Sequence, residues 1–272
     1  MQYKLITPPE ELKPFVKNFW FLDVDEDDIP FSHLLLPYAW FELFFYLSDI
    51  PHITIPENKD FINTHQSAFM GQLDKAINIQ YHQAFRAVGI SLQAWTGNAL
   101  FGIPAHKMAN QSIPLPFIEQ SSFIGEQLLN AKDDDAIIDL LKKYIYNKLS
   151  NYRIDMLSAT ISDAIIQAPE NDAYYKDVIK KSSYSRRRIE QKFLETIGTP
   201  MGQFLKTARF EKVIQTIEHN ESLTLTQIGL QSGYYDQAHF SRNFKKLAGL
   251  TPKQYKNKLT DMDLQKRKFM IS

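Results

Sequence analysis

The chain has 272 residues, 44% hydrophobic and 23% charged, with no cysteine and a formal net charge of zero. That length has room for two domains, and the missing cysteine excludes disulfides, thiolate zinc sites and a cysteine nucleophile. The zero hides an asymmetry: residues 1–150 carry 11 Lys and Arg against 18 Asp and Glu, and residues 151–272 carry 20 against 13, so the basic half points to a polyanionic partner.

The opening stretch MQYKLITPPEELK lacks the basic flank and apolar run of a secretory leader. The most apolar segment, LLLPYAWFELFFYL, is interrupted by Pro37 and Glu42 and is shorter than the roughly 20 residues a bilayer requires. The expected setting is therefore the cytoplasm, without a membrane partner. Up to about residue 110 the chain reads as short apolar or alternating runs, among them FWFLDV, HITIP, AINIQYH and AVGISLQAW. Pro, Gly, Asn and Asp punctuate them, the pattern of a mostly β domain. QAWTGNALFGIPAHKM breaks that pattern and reads as a short helix ending near Gly102 and Pro104.

From about Phe117 the periodicity becomes helical. Asp133, Asp134 and Asp135 sit where a helix N-terminus favours carboxylates. Ile137, Leu141, Tyr144 and Ile145 form a stripe that suits packing within the chain or pairing with a second copy. The expected organisation is a domain over 1–116, a helical connector over 117–150, a second domain over 151–260, and a basic mobile tail over 261–272.

The second domain predicts seven helices, near 153–167, 173–181, 185–196, 200–218, 224–231, 236–247 and 252–258. Gly198, Gly233 and Gly249 fall at candidate stops, Pro200 and Pro252 at first-turn positions, and Asp236 at a capping position. Two stretches follow one plan: YSRRRIEQKFLETIGTPMGQFL and YYDQAHFSRNFKKLAGLTPKQY. Each carries an apolar pair four residues apart (Ile189 and Phe193, Phe240 and Phe244), then a glycine and Thr-Pro, and each follows a shorter helix.

That plan suits a helix-turn-helix, whose second helix packs one face on its own domain and lays the other in a DNA major groove. The buried seam must be apolar, and the outward face must present donors and acceptors. Gln237, Ser241, Arg242 and Lys245 are the outward set of the second unit, and Arg186, Arg187, Glu190 and Gln191 that of the first. Between them PMGQFLKTARFEKVIQTIEH reads as one helix, long enough to hold two reading helices at successive grooves of double-stranded DNA.

Residues 149–259 resemble the AraC-type transcription regulators. The resemblance is carried by Ile228, Gly233, Tyr234, Gln237, the run His239-Phe240-Ser241-Arg242, Phe244, Lys245, Gly249, Thr251, Pro252 and Tyr255. The first unit departs from that pattern: Ile179 stands where alanine is usual, and Ser182-Ser183 where Leu-Gly is common. The resemblance implies a bacterial transcription regulator. Its partners would be DNA, a small-molecule effector, a second copy of the chain, and RNA polymerase if it activates.

Residues 3–116 resemble the sensor-like domain that precedes such DNA-binding units, through LKPFVKNFWFL, LLPYAWFELFFYLSD, FMGQLDKAINI and AVGISLQAWTGNALFGIPAHKMANQSIPL. This implies a cupin-like β-barrel, and hence an α+β chain. Trp20, Tyr38, Trp40, Phe44, Tyr46, Tyr81 and Trp95 suit either an apolar pocket or a filled core. Glu42, inside YAWFELFFY, would need a partner if buried, such as Arg86 or a cationic ligand. The ligand-binding set expected here is Trp40, Glu42, Phe44, Tyr46, Arg86 and Trp95. His33, His52, His65, His82 and His106 show no His-x-His pair or other ligand-like spacing, so neither metal nor cofactor is expected. No catalytic residue is assigned. The alternatives are a DNA-binding protein whose barrel only dimerises, and a metal-dependent cupin enzyme fused to a DNA-binding unit.

Overall fold

In the computed structural model, residues 1–55, 65–118, 123–150, 154–219 and 222–260 are described. The expected tail 261–272 lies outside them. The run FELFFY forms a strand, β4 (Phe41–Tyr46), that is covered on both faces, Glu42 being its one charged residue. It lies inside a six-stranded sheet that also contains β1 (Gln2–Ile6), β2 (Val16–Val24), β6 (Ser67–Met70), β8 (Phe85–Leu92) and β9 (Ser112–Pro114), in the order β1-β2-β8-β4-β6-β9. β3 (Phe31–Leu35), β7 (Ile77–Tyr81) and β5 (Ile53–Thr54) make a second sheet, ordered β3-β7-β5.

Successive residues of a strand point to opposite faces, so β4 supplies two cores. Tyr46 and Phe44 join Leu22, Phe31, Ile79, Tyr81 and Phe85 between the two sheets. Phe41, Leu43 and Phe45 join the opposite core, behind the larger sheet.

The sheets do not close into the barrel that the resemblance implies. Among the described strands, the only partner of β9 is β6 and the only partner of β5 is β7. These edges are three and two residues long, and β9 ends in Pro114, which has no N–H to donate. Closure needs a continuous ladder, so the domain is a two-sheet sandwich.

Helices cover the back of the larger sheet: α1 (Thr96–Phe101), α2 (Leu115–Ile118), α3 (Phe123–Leu129) and α4 (Asp134–Leu149). Asp133 caps α4, accepting from the Ala136 N–H at 2.9 Å. The stripe of Ile137, Leu141, Tyr144 and Ile145 is buried in the core behind the sheet, so it packs within the chain.

Seven helices follow among the described residues: α5 (Met156–Gln167), α6 (Asp172–Lys181), α7 (Arg186–Ile197), α8 (Met201–His219), α9 (Leu225–Gln231), α10 (Gln237–Ala248) and α11 (Pro252–Thr260). They build two cores, and each reaches into the N-terminal half. Ile189, Phe193, Ile197, Phe204 and Leu205 pack with Ala39, Ala94 and Trp95. Phe210, Ile214, Phe240, Phe244 and Tyr255 pack with Leu34 and Leu36. A backbone hydrogen bond from Ala76 N–H to the Leu247 carbonyl, at 2.7 Å, also joins the halves.

Candidate nucleic-acid interface and effector cavity

The second unit is α9 and α10. Thr224 and Gln227 form a reciprocal capping box at the start of α9. Asp236 caps α10 by accepting from the His239 N–H at 2.6 Å, and Gly249 ends it in the left-handed conformation at φ +74°. The inward seam of α10 is Phe240, Phe244, Leu247 and Ala248, all buried. Phe244 sits among the rings of Phe210, Phe240 and Tyr255, with centroids 5.0–5.9 Å away. Opposite the seam Gln237, Arg242 and Lys245 are exposed, and Ser241 is half-buried beside them. No hydrogen bond or ion pair among the described residues occupies the Arg242 or Lys245 side chain. His239 is half-buried with its ring edge-on to Tyr234, a packing residue.

The first unit is α6 and α7. Ser185 caps α7 through the Arg188 N–H at 3.4 Å, and Ile189, Phe193 and Ile197 form the buried seam. Arg186, Arg187, Glu190 and Gln191 are exposed. Arg186 is paired with Glu190 at 2.9 Å and Gln191 donates to Glu195 at 3.0 Å, while Arg187 is unpaired among the described residues. Both units also expose a tyrosine just before the reading helix, Tyr184 and Tyr235. Arg188 and Lys192 lie over the Tyr184 ring.

α8 joins the units. Its 19 residues span about 28 Å at 1.5 Å per residue. One side of α8 closes a cavity of about 140 Å³ between the sandwich and the helical domain, through Phe210, Glu211, Ile214 and Gln215. Trp20, Tyr38, Trp40, Phe44, Tyr46 and Tyr81 supply aromatic walls, and Glu42 and His33 polar ones.

Glu42 is buried and accepts three hydrogen bonds: from Trp40 Nε1 at 2.7 Å, Ser91 Oγ at 2.7 Å and Trp20 Nε1 at 3.0 Å. Strand register makes this set. Glu42 lies opposite Ser91, and Trp20 opposite Gly89. A Cβ on Gly89 would fall 2.1 Å from the Trp20 ring, so only glycine lets the indole lie flat enough to reach the carboxylate. Burial pushes the Glu42 carboxyl above its ordinary range, and its three donors with the charge of Lys17 pull it back.

Of the six residues expected to bind a ligand, Trp40, Glu42, Phe44 and Tyr46 line the cavity and two do not. Arg86 is a correction: it ion-pairs with Asp23 at 3.0 Å and with Asp134, and stacks on Phe21. Its position on β8 points it to the opposite face of the sheet from Glu42. Trp95 packs edge-on to Phe15 in the junction with α5 and α7. The sequence reading missed Glu211 and Lys17. Glu211 sits on a helix of the other domain, and its Oε1 accepts from the Ala39 N–H. Lys17 places its ammonium 3.3 Å from the centre of the Trp40 ring. No sequence spacing links either to Glu42. Among the described residues, no three His, Cys, Asp or Glu side chains gather as a metal site requires, and no helix is long and apolar enough to cross a membrane.

Comparison with known proteins places this geometry. Residues 178–258 match a helix-turn-helix domain and residues 4–114 a domain of unknown function (DUF6597). The chain carries a helix-turn-helix domain of the AraC type. It is 30% identical over 97 residues to an uncharacterized HTH-type transcriptional regulator of Haemophilus influenzae, covering 36% of this chain and 32% of that protein. It is 30% identical over 106 residues to the F1 operon positive regulatory protein of Yersinia pestis, covering 37% and 35%. The chain thus spans about a third of the length of these two curated relatives. Among solved structures it aligns with ToxT of Vibrio cholerae at 13% identity and a TM-score of 0.49, over 96% of this chain and 99% of that one.

Proposed function

We propose that the protein is a sequence-specific transcription regulator of the AraC type that reads double-stranded DNA with α7 and α10. The observation that carries this reading is the repeated geometry of those helices. Each is capped, each buries an apolar seam, and each leaves an outward face of hydrogen-bonding side chains in solvent. Arg187 and Arg242 have the guanidinium fork that pairs with guanine, Gln191 and Gln237 the amide that pairs with adenine, and Lys245 suits phosphate. The strut α8 sets the two heads for successive major grooves, which lie about 34 Å apart.

The sandwich acts as the sensor, taking a small molecule into the cavity against α8. Both domains line that cavity, so a guest favours one arrangement of the halves over another, and only through such a difference can it change DNA affinity. Self-association and, for an activator, contact with RNA polymerase belong to the same reading.

Selection from a random pool of duplexes tests it. Enrichment of one site with two contacted segments about 10 base pairs apart is expected. On that site Arg242→Ala and Gln191→Ala should each weaken binding by about 1–3 kcal/mol. Affinity of the unaltered chain should fall steeply with salt. A pool without enrichment, or two substitutions without effect, would overturn the assignment.

A further inference from the structure

The cavity's chemistry specifies its guest more narrowly than size does. Its walls are largely aromatic faces, and its two carboxylates come from opposite sides: Glu42 from β4 and Glu211 from α8. Against these stands, among the described residues, the Lys17 ammonium, within electrostatic reach of both carboxyls. The other cations on this part of α8 are engaged elsewhere, Arg209 with Asp172 at 2.7 Å and Lys212 with Glu170 at 2.6 Å. With both carboxyls ionised, one negative charge stands uncompensated in an aromatic cavity; burial opposes that state, raising both groups and holding Glu211 up to about 7, and a cationic guest relieves it. Tyr38, stacked on Trp40 with centroids 4.7 Å apart, is buried in the wall with an Oη that has no hydrogen-bond partner among the described residues. A buried hydroxyl of this kind calls for a polar atom of a guest.

We propose that this cavity binds a small organic cation, an amine carried on a single ring-sized apolar body, with its ammonium toward Glu42 and Glu211 and its body among the indole and phenol faces. The proposal rests on the regulator reading above and names the effector's chemical class. Aromatic faces attract cations through their quadrupole, most strongly when water is excluded, and an N–H donated to a carboxylate is a charge-assisted hydrogen bond. A cavity near 150 Å³ accepts a benzene-sized guest. His33, also in the wall, adds no competing positive charge, because burial pushes its imidazole down to about 3. Since Glu211 is on the strut between the reading helices, the guest's charge would act directly on the element that spaces them.

Three near-isosteric probes differing in charge decide the matter: 2-phenylethylamine, 2-phenylethanol and phenylacetate, titrated calorimetrically onto the full chain. The amine is expected to bind at least about tenfold more tightly than the alcohol, the scale of one charge-assisted hydrogen bond, and phenylacetate most weakly. Glu211→Gln keeps an oxygen for the Ala39 N–H but removes the charge, and should bring amine and alcohol within about twofold of each other. Equal affinity for the three probes, preference for phenylacetate, or an amine preference untouched in Glu211→Gln would overturn the proposal. The same preparations are titrated onto the selected duplex. DNA binding without amine preference sinks the ligand class alone, whereas loss of specific DNA binding counts against the regulator reading whatever the amine does.

Discussion

The two helix-turn-helix units share a plan and differ in what supports them. In the second, α9 and α10 rest on a core rich in their own aromatic rings, with Phe244 against Phe210, Phe240 and Tyr255, and Leu34 and Leu36 beside them. In the first, α6 buries no side chain completely; Tyr175, Val178 and Ile179 are only half-buried. Its partner α7 is steadied instead by the sandwich, packing on α1 and on the turn Ala105–Lys107. The repeated Thr-Pro shows the same divergence. Thr251 shares a capping box with Gln254, whereas Thr199 donates to Gln72 of the sandwich at 3.2 Å. A duplicated sequence has thus become one head built on a cluster of its own rings, with Leu34 and Leu36 of the sandwich at its side, and one whose leading helix is only half-buried and whose reading helix leans on the sandwich. A guest in the cavity meets the second head's core directly, because Phe210 and Ile214 belong to both.

The sharpest way to break this comparison is to empty its two cores in turn. Phe244→Ala should cost about 3–5 kcal/mol, because a ring enclosed by three others leaves a cavity that cannot collapse. Ile179→Ala on α6 should cost about 1 kcal/mol, since a half-buried residue gives up less apolar area. Urea denaturation measures both, and similar losses would show that α6 is as firmly seated as α10.

The next effect concerns the strut. Burial pushes Glu211 up to about 7, opposed by Lys17 and the Ala39 N–H. The folded chain then keeps a proton that the unfolded chain releases above about 4.5. Its stabilising share is complete below that value and is lost as pH rises to about 7, by up to about 3 kcal/mol. His33 works in the opposite sense. Held neutral with its value near 3, it favours the fold above the unfolded histidine value of 6.5, and loses that share as pH falls toward 3. The difference in stability between Glu211→Gln and the unaltered chain, followed from pH 4 to 8, isolates the first contribution. A difference that does not change with pH would show that Glu211 is not desolvated at this junction.

The smallest effect separates the two terminating glycines. Both have positive φ, +100° at Gly198 and +74° at Gly249. Alanine at Gly249 meets no atom within 4 Å and should cost about 1 kcal/mol of backbone strain. Alanine at Gly198 would also press on the Ala105 carbonyl at 3.0 Å, and should cost about 2 kcal/mol. Thermal unfolding ranks them, and equal costs would mean that the contact between α7 and the sandwich yields readily.

The helical half was legible because its signals are local. A 3.6-residue period, caps at Asp236 and Ser185, and stops at Gly198 and Gly249 act within a turn or two of chain. Alternation along FELFFY likewise set Glu42, Phe44 and Tyr46 on one face before any partner strand was known. What lay beyond the sequence was every relation between distant segments. Open sheets in place of a barrel follow from which edges find ladder partners, and the loss of Arg86 to Asp23 and Asp134 from the face on which its strand register sets it. The meeting of Glu42 and Glu211 at one cavity, with Lys17 of β2 in electrostatic range of both, joins β4 and α8, and only the docking of two domains brings it about. Periodicity and capping are properties of neighbouring residues, whereas the charge balance of a cavity is a property of the surfaces that happen to enclose it.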